Sequence, residues 1–164
     1  RNACGILSYN SDDIHLRENT FDISIPQSGV IEPFSIVENG DHLVGIYLNH
    51  TNNAIVEQNT YNSLDTESAT RKFGIVSSGD GNLNYIFDNI FSAVDIGLSC
   101  QANNIGLRVQ CNNFGVDGNP HPLTAWRYSS GKLGNQGGCD LINPLLRPAG
   151  NRLGGRKRWK ITCL

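Results

Sequence analysis

"NIFSAVDIGLSCQANNIGLRVQCNNF", residues 89–114, begins with Asn89-Ile-Phe91 and ends with Asn112-Asn-Phe114. The same asparagine-x-aromatic unit occurs at Asn19-Thr-Phe21 and Asn59-Thr-Tyr61. Each of the four copies follows a glycine-led apolar pair: Gly5-Ile6, Gly45-Ile46, Gly74-Ile75 and Gly97-Leu98. The glycine stands 14 residues before the asparagine in the first two copies and 15 before it in the last two. Four agreements to within one residue identify an internal repeat, which has to be recognised before any other element is assigned.

Inside each unit the apolar positions alternate. Ile14 and Leu16 alternate with His15 and Arg17, Leu107, Val109 and Cys111 with Arg108 and Gln110, and Ile46 and Leu48 flank Tyr47. A period of two marks half-buried strands. Turn formers separate them: "NSDD" (10–13), "NHTNN" (49–53), "SSGDGN" (77–82) and "QANN" (101–104). A short unit of this kind cannot bury its own apolar face and must stack on its copies. The predicted fold is therefore all-β, a right-handed parallel β-helix (β-solenoid) with coils of about 22–25 residues and corner insertions. Successive corner asparagines are 40, 30 and 23 residues apart. The stretches 23–34 and 65–72 read as insertions, or the first interval holds one degenerate coil.

The corner residues acquire roles from this fold. Asn19, Asn59, Asn89 and Asn112 are expected to adopt left-handed backbone geometry and to stack in a hydrogen-bonded ladder. Phe21, Tyr61, Phe91 and Phe114 are expected to stack beside them. Leucine-rich repeats also use a periodic asparagine but need L-x-x-L-x-L before it, which is absent. "SSGDGNLN" (77–84) resembles a calcium loop but lacks the closing glutamate, so it reads as a turn.

Composition narrows the classes. The chain has 164 residues, 17% charged, with 20 asparagines and 18 glycines, which favours turns and strands over helices. Residues 1–155 read as one β-helix domain belonging to a longer protein, and 156–164 as a basic irregular tail carrying Arg156, Lys157, Arg158 and Lys160. The net charge of −2 argues against nucleic acid as a partner. No run of apolar residues is long enough to predict a membrane span. The five cysteines include no C-x-x-C pair. Cys100 and Cys111 read either as small buried residues or as halves of disulfides.

From residue 74 onward the pattern resembles the parallel β-helix regions of large bacterial cell-surface proteins exported by type IX secretion. The matching stretches are "NYIFDNIF" (84–91), "DIGLSCQANN" (95–104), "GLRVQCNNFG" (106–115), "NQGG" (135–138) and "RPAGNRL" (147–153). The resemblance covers about half the chain and implies an extracellular or outer-cell-surface location, a right-handed solenoid and no established chemistry.

Signatures of chemistry are sparse. Glycosidic chemistry needs two carboxylates about 5–10 Å apart across the sugar. Asp88 and Asp95 are the strand-adjacent candidates, with Asp117 as a third that stacking would have to bring near. His15, His42, His50 and His121 show no metal-ligand spacing, and no metal or other cofactor is expected. The first functional expectation is a non-catalytic extracellular solenoid segment, a spacer or adhesion surface. Its partners would be a surface or matrix polysaccharide and the rest of its parent chain, and His15, Arg17, Tyr47 and Arg108 would form the binding surface. The alternative is a polysaccharide lyase or glycoside hydrolase of the β-helix type.

Overall fold

The computed structural model describes residues 2–23, 42–63, 70–79, 83–115, 124–128, 132–133, 151–153 and 162–163. Within them the chain is all-β, without a helix, so none is long and apolar enough to cross a membrane. The first repeat supplies β1 (Asn2–Tyr9), β2 (His15–Arg17) and β3 (Thr20–Asp22), and the second supplies β4 (His42–Asn49), β5 (Ile55–Glu57) and β6 (Thr60–Asn62). The third supplies β7 (Arg71–Ser78), β8 (Tyr85–Phe87) and β9 (Ile90–Phe91), and the fourth β10 (Ile96–Gln101), β11 (Arg108–Gln110) and β12 (Asn113–Phe114). β13 (Thr124–Tyr128), β14 (Arg152–Leu153) and β15 (Thr162–Cys163) follow.

Among the described residues every strand pairing is parallel, and from β1 to β12 it joins equivalent positions of successive repeats. Three sheets result, in the orders β1-β4-β7-β10-β13-β15, β2-β5-β8-β11 and β3-β6-β9-β12-β14. In that order they are the first, second and third sheets. Phe21 pairs with Tyr61 and Asn19 bonds directly to Asn59, so no degenerate coil lies between the first two repeats. Of the stretch read as an insertion at 65–72, Arg71 and Lys72 already belong to β7. Residues 24–34 lie outside the described residues. In the segment read as an irregular tail, Thr162–Cys163 pairs with β13, and 156–161 lie outside the described residues.

The corners show why asparagine recurs. Asn59, Asn89 and Asn112 are fully buried. Each donates its Nδ2 to the carbonyl two residues earlier, on Glu57, Phe87 and Gln110 respectively, which closes the turn. Each also donates to a strand carbonyl of the preceding repeat, on Leu16, Val56 and Ile86. The left-handed residue is not the asparagine itself but the one before it. Glu18, Gln58, Asp88 and Cys111 have φ of 57°, 55°, 55° and 53°. That placement turns the amide inward, where one side chain satisfies turn and strand groups that burial would otherwise leave unpaired.

The aromatic after each corner asparagine stacks on its equivalent. Ring centroids are 5.0 Å apart for Phe21 and Tyr61, 4.8 Å for Tyr61 and Phe91, and 4.8 Å for Phe91 and Phe114, with planes within 8° of parallel. That spacing is the strand repeat itself, about 4.8 Å. The glycine of each repeat makes room for the ring. A Cβ on Gly74 would sit 2.5 Å from Phe91 Cδ1 and 2.6 Å from the Gly97 carbonyl oxygen, and a Cβ on Gly45 would be 2.8 Å from Tyr61 Cδ1. The glycine and the aromatic are therefore one packing device.

The main core holds Ile46, Leu48, Val56, Tyr61, Ile75, Ile86, Phe91, Leu98, Val109 and Phe114. The first sheet departs from simple alternation. β4, β7 and β10 are buried almost throughout, because a second apolar cluster of Val44, Tyr47, Phe73, Val76 and Ile96 packs on the opposite face from the main core. A parallel sheet covered on both faces reads as a near-continuous apolar run.

Candidate functional site

The second sheet presents the contrasting surface. Its strands are three residues long, and the middle residue of each, Leu16, Val56, Ile86 or Val109, packs on the main core. The residues on either side face outward. Register places them in two rows. One runs His15, Ile55, Tyr85, Arg108, and the other Arg17, Glu57, Phe87, Gln110.

Polar contacts tie the rows together. His15 Nε2 lies 2.6 Å from Glu57 Oε1. Arg17 Nε donates to Gln58 Oε1 at 2.8 Å and lies 3.1 Å from Glu18 Oε1 and 3.6 Å from Glu57 Oε1. Gln58 Nε2 donates to Asp88 Oδ2 at 3.5 Å. The Arg108 guanidinium sits 5.9 Å from the centroid of the Tyr85 ring, a cation–π distance. The exposed pair of Arg17 with Glu18 contributes little to stability. The rows form a strip that repeats about every 4.8 Å, mixing hydrogen-bonding groups with two aromatic rings.

The sequence candidates separate on this map. His15, Arg17 and Arg108 share the second sheet's outer face. Tyr47 does not. It lies on the first sheet and is only 2% exposed, because the second apolar cluster covers the face to which alternation assigned it. Tyr47 is therefore a core residue, and its expected place on a binding surface is corrected. Tyr85, Phe87, Glu57 and Gln110 were missed, although the signal was available. The outward positions of this sheet always stand two and four residues before the corner asparagine.

The candidate carboxylates Asp88 and Asp95 occupy different turns of the third repeat. Asp88 is exposed, at the left-handed residue between β8 and β9. Asp95 lies between β9 and β10, where its Oδ2 accepts the Lys72 backbone N–H at 2.8 Å and its own N–H donates to the Lys72 carbonyl. That exchange fastens two strand ends. Asp117 and His121 lie outside the described residues. Among the described residues, no group of three or more His, Cys, Asp or Glu side chains is placed to hold a metal ion.

Cysteine chemistry is also divided. Cys100 is a buried thiol that accepts the Trp126 Nε1–H at 3.2 Å, whereas Cys111 is disulfide-bonded. Burial pushes the Cys4 thiol up to about 12, against smaller opposing effects from backbone hydrogen bonds with Tyr47 and Ile6. Compared with family models, with curated proteins and with solved structures, the chain matches none.

Proposed function

We propose that this chain is a non-catalytic segment of an exported cell-surface protein, built as a right-handed parallel β-helix. It serves as a rigid spacer whose second-sheet face adheres to surface or matrix glycan. The observation that carries the reading is the strip of His15, Arg17, Glu57, Tyr85, Phe87, Arg108 and Gln110, laid out in register on four parallel strands. Sugar rings offer hydroxyls to polar side chains and C–H faces to aromatics. A strip with a regular repeat lets several weak contacts act on one polymer chain, and linked weak contacts sum to useful avidity. The resemblance of residues 74–153 to type IX-exported surface proteins supports the same location.

The test is binding of the intact chain to a glycan array covering neutral, acidic and amino polysaccharides. Retained signal should fall at least tenfold in an Arg17→Ala/Arg108→Ala double variant whose urea midpoint is unchanged. A chain that binds no glycan on the array, or that binds equally well with both arginines removed, defeats the adhesive role. Release of reducing sugar or unsaturated product from any of these polymers would defeat the non-catalytic one.

A further inference from the structure

The asparagine ladder has a direction. In each consecutive pair the earlier residue donates both its backbone N–H and its Nδ2 to Oδ1 of the later one. Asn19 donates in this way to Asn59, Asn59 to Asn89, Asn89 to Asn112, and Asn112 to Asn151. From the second repeat onward Nδ2 also reaches back to the strand carbonyl three residues before the preceding asparagine, on Leu16, Val56, Ile86 and Val109.

The first repeat lacks both contacts on its outer side. Among the described residues nothing donates to Asn19 Oδ1. Asn19 Nδ2 donates only to the Arg17 carbonyl and to Asn59 Oδ1. Among the described residues the same end carries three open strand edges, since β1, β2 and β3 each terminate their sheets. Ile6, Ile14, Leu16 and Phe21 are only partly buried there, whereas their counterparts Ile46, Ala54, Val56 and Tyr61 are fully buried. Leu7 and Tyr9 on β1 are 51% and 60% exposed.

We propose that this end is a docking surface for one further parallel β-repeat of the chain's own type. The occupant's corner asparagine donates to Asn19 Oδ1. The strand carbonyl three residues before that asparagine accepts from Asn19 Nδ2, and an aromatic two residues after it continues the ring stack on Phe21. The same interface recurs at every inner step of the ladder, and the open end continues it. Open strand edges are general templates for pairing. Here the amide ladder adds a requirement for direction and register. The inference depends on the stacked repeats and not on glycan binding, so loss of the adhesive role leaves it standing.

The probe is a labelled synthetic peptide of residues 94–115, the fourth repeat, added to the intact chain. Hydrogen exchange is expected to slow in residues 2–22 and to stay unchanged at β11 and β12. A peptide carrying Asn112→Asp places a carboxylate against the Asn19 acceptor and should bind at least tenfold more weakly. In a second arm the same repeat is fused ahead of Asn2 by a flexible Gly/Ser linker of roughly ten residues, giving a local concentration on the order of millimolar. The fusion should raise the urea midpoint, and Asn112→Asp in the added repeat should abolish the gain. An unchanged midpoint in the fusion overturns the proposal. So does equal binding of the two peptides, or protection confined to the opposite end of the stack. Self-association through residues 2–22 that the peptide fails to displace would assign the edge to a second copy instead.

Discussion

Replacing Asn89 by alanine isolates what the ladder contributes. Asn89 is fully buried, and its side chain makes five contacts of 3.0 Å or less. Oδ1 accepts from the Asn59 backbone N–H and Nδ2, and Nδ2 donates to the Val56 and Phe87 carbonyls and to Asn112 Oδ1. Asn59 Nδ2 keeps the Leu16 and Glu57 carbonyls in the variant, and Asn112 Oδ1 keeps the Asn89 backbone N–H. The Asn59 N–H and the Val56 carbonyl are the groups left worst off. Each buried group stripped of its partner costs about 1–3 kcal/mol, which places the loss near 4 kcal/mol. A domain of this size has on the order of 5–15 kcal/mol in total, so the change removes a large share of it. Asn19→Ala is the control, because Asn19 is half-buried at the open end and its loss should cost about 1 kcal/mol. Urea titration followed by far-UV circular dichroism measures both. If Asn89→Ala falls within 1 kcal/mol of Asn19→Ala, the ladder does not carry the energy assigned to it.

Four other substitutions or reactions probe the core. Gly74→Ala should lower the thermal midpoint by several degrees, since overpacking costs about 1–3 kcal/mol, while Gly5→Ala should cost less because its nearest ring atom is 3.1 Å from the added carbon rather than 2.5 Å; equal losses would refute the pairing of glycine with ring. The Tyr61 hydroxyl is buried without a hydrogen-bond partner among the described residues, and burial holds its ionisation well above the usual tyrosine range. Tyr61→Phe should therefore stabilise the chain by about 1 kcal/mol, and a loss of stability in calorimetry would reveal a partner for the hydroxyl. With its pKa raised to about 12, the Cys4 thiol should resist iodoacetamide at pH 8 in the folded chain and react as the chain unfolds in urea. The raised value means that the thiolate is disfavoured only in the folded state, so stability from this group is lost as pH climbs from the ordinary thiol range toward 12. Mass spectrometry that finds Cys4 rapidly alkylated at pH 8 without denaturant contradicts its burial.

Much of this architecture is written in the spacing of three kinds of residue. Glycine and the asparagine-x-aromatic unit recur because each repeat needs one narrow strand position, one amide and one ring at the same height. A period in sequence becomes a stack in space once the strands pair in parallel. His15, Arg17 and Arg108 were legible as outward residues for the same reason, since period-two alternation holds wherever a single face is buried. Tyr47 was not legible. Its neighbours alternate as they would on a half-exposed strand, but the far face of its sheet carries Val44, Phe73, Val76 and Ile96 from three different strands. No local pattern reports on a cluster assembled from three repeats.

The sequence alone determined that the chain is all-β and built of repeats, and which amide and ring mark each corner. Those features follow from local sterics and from the inability of one short repeat to bury itself. The tertiary structure alone decided that the left-handed residue precedes the asparagine, because the amide must turn inward to meet carbonyls of two different repeats. It also decided which sheet is covered on both faces and which presents a surface. Finally, it gave the ladder its direction, since donor and acceptor ends are defined only when one repeat lies on the next.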